Sequence, residues 1–176
     1  MSKTAIDRPA TEEYAEYYTT YVSKVPGSDI LGFLEEQLGS TMTLLRGIDE
    51  SKAGFRYEPG KWSIKELVGH IIDGEKVFAY RGLVFARNDT VSLPGFDQDI
   101  WVKNANYANI PFAEIIAEFE AVRRASILQF RHLAPDAWSR QGIANEKQMT
   151  TRASAYIIAG HAEHHLGILK TRYLNG

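Results

Sequence analysis

The histidines of this chain are concentrated near its carboxyl end, where three of the five lie in AGHAEHHLGIL, residues 159–169. His161 and His165 are four residues apart, which on an α-helix places them one turn apart on one face. That face also carries Ile158 and Ile168, so we expect it to point into the core. Buried imidazoles need partners, and an inward His-x₃-His pair can bind a divalent metal ion.

Two histidines are too few for a catalytic metal site, which usually has three protein ligands and one open position. His70, in KELVGHIIDGEK, lies three residues after Leu67 and next to Ile71, and therefore lies on or beside an apolar stripe. Together His70, His161 and His165 predict a site of three histidines. The alternative is that all three are structural histidines that bind carbonyl groups or water.

The two remaining histidines are expected to lie away from the ion. His164 is about 60° from His161 around the helix axis, which places it at the margin of the apolar stripe. His132 comes just before Ala134 and Pro135, where a role at the carboxyl end of a helix is expected.

The composition restricts the class of protein. A length of 176 residues suits one domain, and 44% of them are hydrophobic, which is enough for a sizeable core. The net charge of −2 gives no electrostatic reason to expect binding to nucleic acid or to an anionic membrane. No window approaches the roughly 20 apolar residues of a membrane span, and the first residues do not match a secretory signal. The chain has no cysteine, so a metal site must use His, Asp, Glu or water.

Four long segments place apolar residues at spacings of three and four, which predicts four helices. Ser63 followed by Glu66 is typical of a capping box, and Pro111 suits a first helical turn. An all-α four-helix bundle over residues 28–176 is therefore expected. The predicted helices cover residues 28–47, 63–87, 111–133 and 150–173.

Three further expectations concern the rest of the chain. Residues 1–27 are interpreted as an N-terminal extension with a short helix around residues 11–21. The connection of residues 88–110 is unusually long, and loops of this length are often functional. It either lines the site or is a packed crossover in which Phe96, Trp101 and Tyr107 cover the end of the bundle. No strands are expected, because no alternating segment with an Asn-Gly or Asp-Gly turn is found.

The histidines occur in motifs with a recognisable pattern. KWSIKELVGHIIDGEKVFAYR, ARND, LPGFDQD and AYIIAGHAEHHLGIL together resemble the DinB/YfiT-like superfamily, over about residues 28–173. The most specific parts are W-S-x-K-E-x-x-x-H and G-H-x-x-H-H. The resemblance implies a four-helix bundle in which His70, His161 and His165 bind one divalent metal ion.

The resemblance also implies a cytoplasmic protein, often a homodimer, that acts on a small molecule. Its relatives include enzymes that transfer low-molecular-weight thiols. Zinc or nickel is expected first, although iron, cobalt or copper also suits nitrogen ligands. Such an ion lowers the pKa of water or a thiol, which predicts a hydrolase or a thiol S-transferase. Without a cysteine in the chain, any thiolate must come from outside.

Either reaction needs a base or an orienting group. Asp73 is three residues after His70 and is a candidate to hold a ligand nitrogen in place. Asp97 and Asp99, in the long connection, are candidates to reach the open side of the bundle. Glu75 and Arg81 are further candidates, and for each of these residues a structural or solvated charge is the alternative.

A non-catalytic function is the second interpretation of the same residues. In that case the ion would only join the second helix to the fourth, or the bundle would bind a small ligand without reacting with it. A closed coordination sphere would favour this interpretation, whereas an open position beside a lined cavity would favour an enzyme.

Overall fold

The computed structural model describes residues 6–174, and most of them are helical. Two short strands, β1 (Gln141–Ala144) and β2 (Lys147–Thr150), are the strands of the described part. The α-helices are α1 (Thr19–Val22), α2 (Ile30–Arg46), α3 (Glu50–Ala53), α4 (Ile64–Ala86), α5 (Gln98–Asn104), α6 (Phe112–Arg131) and α7 (Thr151–Ile168), and one π-helical turn (Leu169–Leu174) follows α7.

The four long helices α2, α4, α6 and α7 form the predicted four-helix bundle, and each begins and ends close to the predicted residues. Local sequence explains where they begin. The Asp29 side chain accepts a hydrogen bond from the Gly32 amide at the start of α2. Ser63 and Glu66 form the expected capping box at the start of α4. Because these caps satisfy amides that have no partner within the helix, they define the first turns.

Helices α4 and α7 form the centre of the bundle and pack against each other. Nearly every residue of α7 from 151 to 162 is buried, on all sides of the helix. A helix that is apolar all round is buried all round. Any polar side chain on its inner half therefore lies in the interior, where it needs a partner.

The N-terminal segment covers one side of α7. Instead of one helix over residues 11–21, it forms 3₁₀ turns and the short helix α1, because Tyr14 is in extended conformation and inserts its ring into the core. The carbonyl oxygen of Tyr21 lies where a Cβ on Gly160 would be, 1.9 Å from that position. Glycine at this point of α7 thus permits the close approach of α1. Glu13 accepts hydrogen bonds from Arg152.

The long connection between α4 and α6 is more regular than expected. It contains α5 and a 3₁₀ turn at Tyr107–Asn109. Asp97 caps α5, because its carboxylate accepts hydrogen bonds from the amides of Asp99 and Ile100, each at 2.9 Å.

The hairpin of β1 and β2 was not expected from sequence. Its turn residues Asn145 and Glu146 have φ of 51° and 63°, the left-handed values that tight hairpin turns require. Asn is common in this conformation, but Glu is not, so the usual Asn-Gly signal is missing. Leu93 of the long connection exchanges backbone hydrogen bonds with Ile143 and Asn145, which ties the connection to the hairpin. Among residues 6–174, no helix is long and apolar enough to cross a membrane.

Candidate metal centre

Three imidazoles from two helices meet in the interior, and they are the three that the sequence predicts as ligands. His70 comes from α4, whereas His161 and His165 come from α7. The Nε2 atom of His70 lies 3.0 Å from Nε2 of His161 and 3.2 Å from Nε2 of His165. Each of the three rings offers one nitrogen as a ligand, and these three nitrogens lie within 4.8 Å of one another.

Neighbouring side chains fix the orientation of these rings. A Cβ on Gly74 would lie 2.7 Å from Cε1 of His161, so the missing side chain makes room for that ring. The Trp62 ring packs on His70 with 4.8 Å between centroids. Tyr21 meets His161 edge-on at 5.2 Å between ring centroids. Rings packed in this way lose little further freedom when they bind a ligand.

The donor set fits a divalent metal ion better than it fits the imidazoles alone. In a neutral imidazole, one nitrogen carries a proton and the other carries a lone pair. Nε2 of His70 therefore has either one proton or one lone pair in the plane of the ring, which is too few for good hydrogen bonds to two other rings. An ion about 2.0–2.1 Å from each nitrogen would satisfy all three lone pairs at once. Nε2 separations of 3.0 and 3.2 Å are close to those of nitrogens that share such an ion.

The environment also keeps the three rings neutral, which is the form that binds metal. Burial, with a smaller contribution from the neighbouring imidazoles, lowers the pKa of His70 to about 4 and that of His165 to about 3. Burial and the adjacent His165 hold the pKa of His161 well below its usual value. Protons therefore compete weakly with an ion for these nitrogens near neutral pH.

The other predicted residues lie outside the imidazole group. His164 is half-buried at the margin and meets Tyr21 edge-on, and His132 ends α6 as its C-cap residue; both positions agree with the sequence analysis. The Asp73 carboxylate accepts a hydrogen bond from the Tyr107 hydroxyl at 2.9 Å. Burial raises the pKa of Asp73, and that hydrogen bond opposes part of the rise. Asp97 is exposed and caps α5.

Two cavities are lined by the three imidazoles. A cavity of about 340 Å³ is bounded by His70 and His161. A second cavity, of about 240 Å³, is bounded by His165 and also by Asp99. Side chains from outside the predicted bundle complete the first cavity: Tyr17, Tyr18 and Tyr21 from the N-terminal segment, Gly95, Phe96 and Gln98 from the long connection, and Asn145 from the hairpin turn.

A buried ionic network adjoins the centre, and the sequence analysis did not identify it. The Arg123 guanidinium donates from Nε to both oxygens of Glu75, at 2.9 and 3.0 Å, and from Nη1 to Gln37. Gln37 in turn donates to the Ala159 carbonyl oxygen on α7, at 3.0 Å. Arg123 and Glu75 are 0% and 2% exposed. The positive charge of Arg123 contributes to the lowered pKa of His161, so the network is close enough to influence the site.

Gly74→Ala is expected to weaken metal binding without unfolding the protein. The added methyl group would displace the His161 ring, and errors in ligand orientation typically reduce metal affinity about 10- to 100-fold. The measurement is a competition titration with a chelator. Gly167→Ala on α7 is the matched control, because its Cβ would meet nothing within 4 Å. Equal affinities of the two variants would contradict the role assigned to Gly74.

The metal-free protein is expected to lose stability as the pH falls from about 6.5 towards 4. In this window the unfolded chain binds more protons than the folded chain, because the folded pKa of His70 lies below its ordinary 6.5. His70 alone should reduce the free energy of unfolding by about 2 kcal/mol between roughly pH 7 and 4.5. Above about pH 6.5 its contribution is fully present.

Urea denaturation of chelator-treated protein at both pH values tests this expectation. In His70→Gln, which cannot titrate at this position, the pH-dependent loss should shrink by about the same amount. The control is His132→Gln, whose side chain is exposed and does not belong to the imidazole group. An unchanged pH dependence in His70→Gln would contradict the prediction.

Comparisons with known proteins agree with the geometry. A model of the DinB superfamily matches residues 34–169. A relative from Oceanobacillus iheyensis, named "Putative metal-dependent hydrolase OB0413", is 24% identical over 140 residues, which is 79% of each chain. The solved structure of YfiT from Bacillus subtilis, described as a probable metal-dependent hydrolase with an unusual four-helix bundle topology, superposes with a TM-score of 0.69 at 14% identity. That superposition covers 97% of this chain and 93% of YfiT.

A second solved structure has a different described activity. It is a mycothiol-dependent maleylpyruvate isomerase, with a TM-score of 0.65 at 10% identity, and the match covers 82% of this chain and 61% of the isomerase. At these identities the two structural likenesses demonstrate a common fold.

Proposed function

The chain belongs to the DinB superfamily, and we propose that it is a divalent-metal-dependent enzyme that acts on a small molecule. In this proposal His70, His161 and His165 are the metal ligands. The observation that carries the proposal is the convergence of three buried, neutral imidazoles at the end of a cavity. The relative from Oceanobacillus iheyensis is named "Putative metal-dependent hydrolase OB0413", which supports the same class.

The proposed mechanism assigns distinct tasks to the residues of the chain. A bound divalent ion would supply Lewis acidity and lower the pKa of a coordinated water or thiol. Trp62 and Tyr21 pack on two of the imidazoles and exclude water from their faces. Phe78 forms part of the apolar wall along which a substrate approaches. Because the chain would supply three ligands, a divalent ion bound there would keep a position open for a small molecule.

We propose hydrolysis as the first reaction class and thiol transfer as the second. One observation favours the second: among residues 6–174, no carboxylate lines the cavity beside His70 and His161, so no acidic residue is placed there as a general base. A thiol needs less assistance, because its pKa is far below that of water. Asp73 and Asp97 remain proposed as positioning residues, or as bases that act from outside this cavity, with the structural contacts described above.

The non-catalytic alternative is less well supported. An ion that only joined α4 to α7 would need no cavity beside its ligands, whereas here a cavity of about 340 Å³ adjoins two of them. The identity of the ion, zinc or nickel first and iron, cobalt or copper next, stays a proposal, as do a homodimer and a cytoplasmic location.

A direct test compares substrates on one preparation of metal-loaded protein. Activated esters and amides are assayed for hydrolysis, and electrophiles are assayed with and without an added low-molecular-weight thiol. We expect turnover that disappears on chelation and returns when the metal is restored. Turnover only with thiol would select the second class. Turnover that is indifferent to the metal, or none in the metal-loaded protein, would contradict the proposal.

A further inference from the structure

The cavity beside His70 and His161 has a positive charge along its wall. Arg81 lies about three helical turns after His70 and on the same face of α4. The Phe78 ring is near both groups: it lies 5.2 Å from the Arg81 guanidinium carbon and 6.4 Å from the His161 ring. Arg81, His70 and His161 all line this one cavity, so a molecule that fills it is bounded by the guanidinium and by two of the three imidazoles.

Arg81 is buried without a counter-ion. The residue is 2% exposed, and its guanidinium donates to the Pro94 carbonyl oxygen at 2.9 Å and to the Tyr18 hydroxyl at 3.5 Å. Within residues 6–174, no aspartate or glutamate forms an ion pair with it. A guanidinium has five N–H donors, so these two contacts leave donors available to a molecule in the cavity.

Arg123, another fully buried arginine of the bundle, has a counter-ion. Arg123 is paired with the Glu75 carboxylate through two hydrogen bonds. A buried cation without such an anion is energetically costly. Arg81 lines the cavity beside His70 and His161, and Arg123 does not line it. A negatively charged ligand in this cavity could therefore balance the charge of Arg81.

The remaining cavity wall is suited to a small organic anion. The polar groups near Arg81 are uncharged: the hydroxyls of Tyr17 and Tyr18 and the amides of Gln98 and Asn145. A volume of about 340 Å³ lies at the lower end of the range for small-molecule sites. The planar guanidinium fork matches the two oxygens of a carboxylate, which it can bind through two parallel hydrogen bonds.

We propose that this cavity selects small substrates that carry a carboxylate and that Arg81 binds that carboxylate. The reacting end of the substrate would then lie at His70 and His161, which line the same cavity. The assignment of Arg81 deepens the proposed function and rests on it for the reaction. The binding step itself needs no metal, so it can be tested separately.

Calorimetric titration of the metal-free, folded protein with benzoate tests the binding step. Benzamide has nearly the same shape and no charge, and it is the control ligand. We expect saturable binding of benzoate and affinity for benzamide that is weaker by about tenfold or more, the usual effect of losing a charged hydrogen bond. Because no metal is present, the result is independent of the catalytic proposal.

Variants assign the effect to Arg81. Arg81→Met should weaken benzoate binding about tenfold or more, whereas Arg81→Lys, which keeps the charge but lacks the fork, should recover part of the loss. Arg124→Met is the matched control, since Arg124 is exposed and lines a separate groove between α2 and α6. Circular dichroism establishes that each variant is folded.

Several outcomes would overturn the carboxylate assignment. One is no saturable binding of benzoate to the wild-type protein, and another is equal affinity for benzoate and benzamide. Equal benzoate affinity of Arg81→Met and wild type would also reject it. Saturable binding of inorganic phosphate without binding of benzoate would show that the site binds a different anion, and would also reject the carboxylate assignment. If Arg81→Met does not fold, the ligand comparison in wild type decides. Failure of the catalytic proposal alone would leave benzoate binding unchanged.

Discussion

Replacing His161 with alanine is expected to abolish tight metal binding. His161 supplies one of the three nitrogens, and its ring is buried against Gly74 and Tyr21. Loss of a group that merely orients a ligand costs about 10- to 100-fold in metal affinity, so loss of the ligand itself should cost more than that. Zinc titration of chelator-treated protein against a fluorescent competitor measures the change.

Two matched histidine variants make that expectation specific. His164→Ala removes an imidazole at the margin of the site, three residues along the same helix, and His132→Ala removes one at the end of α6. Both should bind zinc within about threefold of wild type, because neither supplies a nitrogen to the group. If His164→Ala lost as much affinity as His161→Ala, the assignment of the ligands would be wrong.

Replacing Arg123 with methionine is expected to destabilise the protein by about 3–5 kcal/mol. The change leaves the Glu75 carboxylate buried without its partner, and breaking a buried ion pair from one side costs about this much. Gln37 also loses the guanidinium that donates to it. Urea denaturation monitored by circular dichroism measures the free energy of unfolding.

The neighbouring residue provides the control for Arg123. Arg124 is exposed and pairs with Glu120 on the surface of α6, so Arg124→Met should change the free energy of unfolding by about 0.5 kcal/mol or less. Arg123→Met combined with Glu75→Gln should recover part of the lost stability, because no buried charge then remains in the pair. Equal stabilities of Arg123→Met and Arg124→Met would contradict the prediction.

The bundle and the metal centre were predictable because both depend on local patterns. Ser63 and Glu66 define the start of α4 within the sequence of its first turn. The four-residue spacing of His161 and His165 requires only that the segment be helical. His70 could be added because it borders the apolar stripe of its own helix. These inferences use residues that are near each other in the chain.

Features that depend on contacts between distant segments were not predictable in the same way. Glu75 and Arg123 are far apart in sequence, and each alone is typical of a solvated charge. Burial of Arg81 depends on the Pro94 carbonyl oxygen and on the N-terminal segment, which was interpreted only as an extension. The hairpin escaped detection because Glu146 takes a left-handed conformation that its side chain does not favour.

The most direct test of the central claim is the metal content of the untagged protein, measured by elemental analysis beside His161→Ala. We expect about one divalent ion per wild-type chain, the number that one group of three imidazoles can hold, and close to none in the variant. A wild-type protein that is folded but metal-free, and that takes up no ion when zinc or nickel is added, would contradict the account. Equal metal content in the two proteins would contradict it as well.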